Sequence, residues 1–164
     1  QYGKRQRQYA QTRALSSVYT PGLVLAGQEW RSWFFRPELK VQPGPDTGEL
    51  TVRIDKQLQQ ADITFAPVPA LAASLGKRLT VHLALLGFDL TTEVKGGENK
   101  GRQLDHDFVV LAYDRHALQQ QPERFAASVT MPRTTIPSPR YALAAWVSES
   151  GEVQPLQAVG GWYR

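Results

Sequence analysis

From Glu49 onward, apolar and polar residues trade places at short range. "ELTVRID", "ADITFAP", "RLTVHLALLGF", "LTTEVK", "DHDFVVLAY", "RFAASVTMP", "YALAAWVSE" and "VQPLQAVGGW" are short runs rich in β-branched or aromatic residues. Several of them alternate with a period of two, as half-buried strands do. Their spacing of about 8–15 residues predicts an antiparallel, sandwich-like β domain over residues 49–164. One short helical turn, Val68 to Gly76, interrupts the series. Upstream, residues 37–48 hold three prolines and two glycines in twelve positions, which suits a linker. Lys4–Leu15 consists mostly of good helix formers and predicts a helix. "GLVLAG" then reads as a buried strand, with "EWRSWFF" pairing back on it after a Gly27-Gln28 turn. The fold class expected is α+β: a helix and strand in residues 1–36, then the β-rich domain.

Charge narrows the partners. The net +4 lies wholly in residues 1–13, which carry Lys4, Arg5, Arg7 and Arg13 and no acid. Four cations on a short helix, without aromatics interleaved on strands, describe a solvated face and not a nucleic-acid surface. No apolar run approaches the roughly 20 residues of a membrane span. Cysteine is absent, so these residues supply no disulfide, thiolate ligand or thiol nucleophile.

Two stretches concentrate chemistry. "KGGENKGR" combines three glycines with Glu98, Asn99 and Arg102, residue types that contact a polar or anionic ligand or, equally, close a hairpin. It lacks the ending of a phosphate-binding loop. "LDHDF" brackets His106 with Asp105 and Asp107. Strand alternation puts both carboxylates on one face and the imidazole on the other. A His–carboxylate dyad for general-base catalysis then needs an acid from a neighbouring strand. His82, in a very apolar strand, reads as a core histidine hydrogen-bonded to backbone, and His116 as a solvated residue of a polar turn. The three histidines have no metal-ligand spacing, and no metal or cofactor is expected. Trp30 and Trp33 read as packing residues at a domain junction, and Trp162 as the pin of the last strand.

"RQRQYAQTRALSSVYTPGLVLAGQEWRSW", "VHLALLGFDLTTEVKGGENKGRQLDHDFVVLAY" and "LAAWVSESGEVQPLQAVGGW" occur in that order. Together they resemble the bacterial secreted proteins grouped as domain of unknown function 1223. The resemblance implies a thioredoxin-like half followed by a β-rich half, and a periplasmic or secreted location. It also implies that Lys4–Leu15 is the helix before a cis-proline strand, with Thr20 and Pro21 facing a redox site whose cysteines lie upstream of Gln1. A possible partner is then a protein substrate, or the chain's own upstream segment. Three functions follow for testing: a redox-silent part of a thioredoxin-like protein, a non-catalytic module binding through Gly96–Arg102, and a hydrolase using His106.

Overall fold

The structure is a computed structural model that describes residues 7, 9–11, 23–25, 28–30, 44–76 and 78–163. Arg7 and residues 9–11 are helical, within the segment predicted as helix. The Tyr9 hydroxyl donates to the carbonyl of Val153 at 3.3 Å. β1 (Val24–Leu25) pairs antiparallel with β2 (Gln28–Glu29) in register Val24↔Glu29. The Trp30 N–H closes this ribbon on the Leu23 carbonyl at 2.8 Å. The return of the chain is as the sequence predicts, but the expected burial is not found. Leu23 and Val24 are 39% and 40% exposed. Thr20, Pro21 and Trp33, and with them the cis-proline expectation, lie outside the described residues.

Nine strands follow. β3 (Gly48–Asp55) and β4 (Gln60–Pro67) lead to the one-turn helix α1 (Pro69–Ala72). Then come β5 (Leu79–Phe88), β6 (Leu90–Glu93), β7 (Gln103–His106), β8 (Val109–Gln120), β9 (Phe125–Thr130), β10 (Arg140–Glu149) and β11 (Gln157–Tyr163). The local reasons are legible. At the β3–β4 turn, one Asp55 carboxylate oxygen accepts the N–H groups of Gln57 and Leu58 at 2.9 and 3.0 Å. Gln59 then takes a φ of +52° to bring the chain back. Pro69 starts α1, where its missing N–H costs nothing.

Seven strands form one sheet in the order β11-β10-β5-β8-β9-β4-β3, every neighbour antiparallel. β8 and β9 share only two registered pairs, Gln119↔Ala126 and Gln120↔Phe125. The sheet bends at that joint, so its two ends approach each other. β6 and β7 make a separate two-stranded hairpin, Leu90↔His106 to Glu93↔Gln103.

Alternation builds the core. On β4, Ala61, Ile63 and Phe65 point inward between polar Gln60, Asp62 and Thr64. Their cross-strand partners are Ile54, Val52 and Leu50 on β3 and Val129, Ala127 and Phe125 on β9. The opposite half contributes Val81 and Leu83 from β5, Leu143, Ala145 and Val147 from β10, and Leu118 from β8. β5 is buried on both faces, which is why it reads as a nearly continuous apolar run rather than an alternating one.

Four expectations need correction. The β domain is not a sandwich of separate sheets but one rolled, nearly closed sheet. With α1 only four residues long, α+β overstates the helical share: the described residues are predominantly antiparallel β. "DHDFVVLAY" is not one strand either. Phe108, at a φ of +57°, separates β7 from β8. β8 runs on through Gln120 and absorbs His116, expected in a polar turn. There His116 is half-buried, with its Nε2 enclosed and unbonded.

Candidate functional site: an arginine–aromatic platform

At one end of the sheet the β5–β6 turn, the β7–β8 turn, the start of β10 and the end of β11 converge. Register puts the side chains on one surface. Phe88 is paired with Arg140, and Ala142, two residues on, with Trp162; residues two apart on a strand share a face. The Arg140 guanidinium stands 5.0 Å from the Trp162 ring centroid and 5.7 Å from that of Phe88. Phe88 packs against Trp162 at 4.7 Å and meets Phe108 edge-on at 4.6 Å and 63°. These separations suit cation–π and aromatic attraction. Phe88 is buried, whereas Trp162 and Phe108 are 53% and 70% exposed. Trp162 thus packs against Phe88 and beneath Arg140 while about half of its surface stays open to solvent.

Asp89 orients the arginine. Arg140 Nε donates to Asp89 Oδ2, and its Nη2 donates to Oδ1 at 3.0 Å, a two-pronged pairing. That hydrogen bonding holds the Asp89 carboxyl below its usual pKa of 3.8, against a smaller upward push from desolvation. Asp89 sits at a φ of +55°, and its N–H donates to Asp107 Oδ1 at 3.0 Å. Aspartate tolerates the left-handed region, but a bulky phenylalanine there is strained by about 1–3 kcal/mol. The fold accepts that cost at Phe108, a side chain it then leaves exposed.

Two cavities adjoin the platform and share Tyr141 and Tyr163 as a common wall. One, of about 410 Å3, is completed by Pro139, Arg140 and Trp162. The other, of about 270 Å3, has Leu85 and Met131 with Gln59, Arg133 and Thr134. The Tyr163 hydroxyl accepts from Gln59 Nε2 at 3.3 Å, and the Tyr141 hydroxyl accepts from the Ser138 N–H at 2.8 Å.

Of the residues singled out in the sequence, Trp162 lies on this platform, while the candidate ligand-binding and catalytic residues fall around it. Glu98, Asn99 and Arg102 lie in the connection of the β6–β7 hairpin. There Val94 N–H donates to Arg102 O, Gly101 N–H to Val94 O and Arg102 N–H to Asn99 O, at 2.8–3.0 Å. Gly97 and Gly101 hold positive φ, so the glycines serve turn geometry. Strand rise puts Arg102 roughly 15 Å along the hairpin from Asp107. Asp105 accepts from the Thr91 hydroxyl at 3.1 Å and Asp107 from the Asp89 N–H. Among the described residues no hydrogen bond joins either carboxylate to His106, and no group of three or more His, Cys, Asp or Glu side chains is placed to hold a metal. No helix among them is long and apolar enough to cross a membrane. No sequence pattern unites Arg140, Asp89 and Phe108: the β5–β10 register brings Arg140 to Phe88 and Asp89, and the β7–β8 turn brings Phe108.

His82 is buried as expected, but its partners are side chains rather than backbone. Nδ1 lies 2.5 Å from the Tyr113 hydroxyl and Nε2 3.0 Å from Ser148 Oγ, while the ring stacks on Trp146 at 5.0 Å and 3°. A serine beside an imidazole has the outline of an activated nucleophile. Ser148 is only 1% exposed, however, so the trio works as a buried polar network.

The molecule is therefore an antiparallel β protein with a rolled sheet, bearing an exposed arginine–aromatic surface. Residues 1–148 match the family described as "Protein of unknown function (DUF1223)", and the chain belongs to that family. No curated protein matches it. Among solved structures it is similar to HBP35 of Porphyromonas gingivalis, with a TM-score of 0.60 at 14% identity, over 97% of this chain and 57% of that one. The chain thus spans little more than half of that structure's length, and the likeness is one of fold.

Proposed function

We infer that this chain acts as a non-catalytic binding module, docking a protein partner on the Phe108–Trp162–Arg140 platform. One observation carries the reading: strained, exposed Phe108 and half-exposed Trp162 both pack on Phe88, and an aspartate holds an arginine over Phe88 and Trp162. Tryptophan and arginine are the residue types that dominate binding energy at protein interfaces. Exposed Val110, paired with Leu86 two residues before Phe88, extends the apolar surface. The test is selection of peptides from a displayed random library on the intact chain. Trp162→Ala and Phe108→Ser are expected to weaken the selected binders at least about tenfold, or about 1.4 kcal/mol each, and Glu98→Ala with Arg102→Ala to leave them unchanged. The reverse pattern transfers the function to the hairpin tip, and indifference to both sets refutes a docking surface at either place.

A second reading follows from the family resemblance. It makes the chain part of a periplasmic or secreted thioredoxin-like protein, with Thr20 and Pro21 at a redox site. The absence of cysteine from all 164 residues supports a redox-silent role for this stretch. In an insulin-disulfide reduction assay the chain is expected to give no rate above background; turnover would refute the assignment. Cell fractionation of the bacterial host tests the location.

A further inference from the structure

On the Tyr163 side the core of the rolled sheet ends in a cavity. Tyr141 pairs with Tyr163, and Leu85 with Leu143, whose side chain belongs to the core. Residues two apart on a strand share a face, so Tyr141, Tyr163 and Leu85 are all turned to the core side. The other half of the sheet meets them through Met131, just after β9, and Gln59, just before β4. The Met131 N–H donates to the Gln59 carbonyl at 2.9 Å and ties these two together. The space left between the halves is the cavity of about 270 Å3. Barrel mouths are favoured places for small-molecule sites, whose volumes begin at about 300 Å3, so this one suits a ligand at the small end of that range.

Its apolar and polar linings differ in kind. Leu85, Met131 and Pro132 are buried residues that nonetheless border the cavity. A methionine and two tyrosine rings around one small space favour an aromatic guest. The polar lining is rich in donors. The Tyr163 hydroxyl accepts from Gln59 Nε2 at 3.3 Å, which leaves its own proton uncommitted among the described residues. Thr134 Oγ accepts from the Ile136 N–H at 3.0 Å and is left in the same position. Arg133 is exposed, and its guanidinium has no hydrogen-bond or ion-pair partner among the described residues. No aspartate or glutamate lines the cavity. One positive charge and two hydroxyl protons thus border an apolar space with no carboxylate to answer them.

We propose that this cavity binds a small aromatic monocarboxylate. The ring lies against Leu85, Met131 and Pro132, and the carboxylate pairs with Arg133, with the Tyr163 and Thr134 hydroxyls as neutral donors beside it. Charge selects the polar end of the ligand: hydrogen bonds from a guanidinium to a carboxylate are about twice as strong as neutral ones and can form in parallel pairs. Volume selects the rest, since the cavity admits one ring on a short chain and not a fused ring system. Arg140 cannot play the same part, because Asp89 already occupies it. This site is separate from the platform and stands or falls independently of the docking reading.

The probe is 3-phenylpropanoate, titrated against the full 164-residue chain labelled with carbon-13 at the methionine methyl. Met131 is the single methionine of the sequence, so one NMR resonance reports from the cavity wall, and its loss in Met131→Leu assigns it. A saturable shift of that resonance is expected, with a Kd below about 1 mM. The amide 3-phenylpropanamide keeps the ring without the charge, and propanoate keeps the charge without the ring. Each should bind at least about tenfold more weakly. Arg133→Gln should weaken the carboxylate about tenfold and leave the affinity for the amide unchanged, a selective loss that a folding defect would not produce. Tyr163→Phe, which removes only the hydroxyl, should weaken the carboxylate by roughly threefold. No saturable shift at about 20 mM probe, equal binding of acid and amide, or indifference to Arg133→Gln overturns the proposal. So does calorimetric binding with an unmoved Met131 resonance, which would put the ligand elsewhere on the molecule.

Discussion

Arg140 and Asp89 show how much one residue pair organises. Both side chains are about half-exposed, so their value is orientation: the two-pronged contact keeps the guanidinium over Trp162 and Phe88. The pH dependence has a definite sign. A carboxyl whose folded pKa is depressed contributes stability above its unfolded pKa and loses it as pH falls through the folded value. The Asp89 contribution is therefore complete at neutral pH and disappears below 3.8. Arg140→Ala is expected to move the Asp89 midpoint upward toward 3.8 in a carboxyl NMR titration. Gly48 makes a second residue-scale case. At a φ of +110°, an added Cβ would stand 2.1 Å from the Ala66 carbonyl oxygen. Gly48→Ala should cost about 3 kcal/mol in chemical denaturation, from backbone strain and overpacking together.

At the scale of elements, β5, β8 and β10 are joined by more than their ladder. His82, Tyr113 and Ser148 place one buried imidazole between hydroxyls from the two flanking strands. His82→Leu removes a partner from both hydroxyls and is expected to destabilise by about 2 kcal/mol, against about 1 kcal/mol for Ser148→Ala, by urea titration. Strand existence was largely legible in the sequence, because alternation on β4 and the continuous apolar run of β5 are direct records of one-face and two-face burial. The break at Phe108 was not, since a left-handed phenylalanine leaves no compositional trace and the apolar pattern runs straight through it. Nor was the platform: Phe88 and Arg140 are brought together only by antiparallel register across β5 and β10. The "KGGENKGR" signal was real as turn chemistry, and glycine content alone does not separate a turn from a ligand loop. Among the described residues one four-residue helix and the helical stretch around Tyr9 stand against the strands of a rolled sheet, which is why α+β overstates the helical share.

For the whole molecule, Phe65 is the most informative core position. It is 0% exposed and lies between Leu50 and Phe125 in the ladder. Phe65→Ala should remove about 3–5 kcal/mol, a large part of the 5–15 kcal/mol typical of a domain, and lower the melting temperature accordingly in calorimetry. A last consequence concerns the β8–β9 joint. The two halves of the rolled sheet are fastened along one side by two residue pairs, Gln119↔Ala126 and Gln120↔Phe125, and along the other by two glutamine side chains. Between these fastenings lies one core cluster shared by both halves, so parting the edges would leave every ladder within each half intact while baring Ile63 and Phe65 on one side and Leu83 and Val147 on the other.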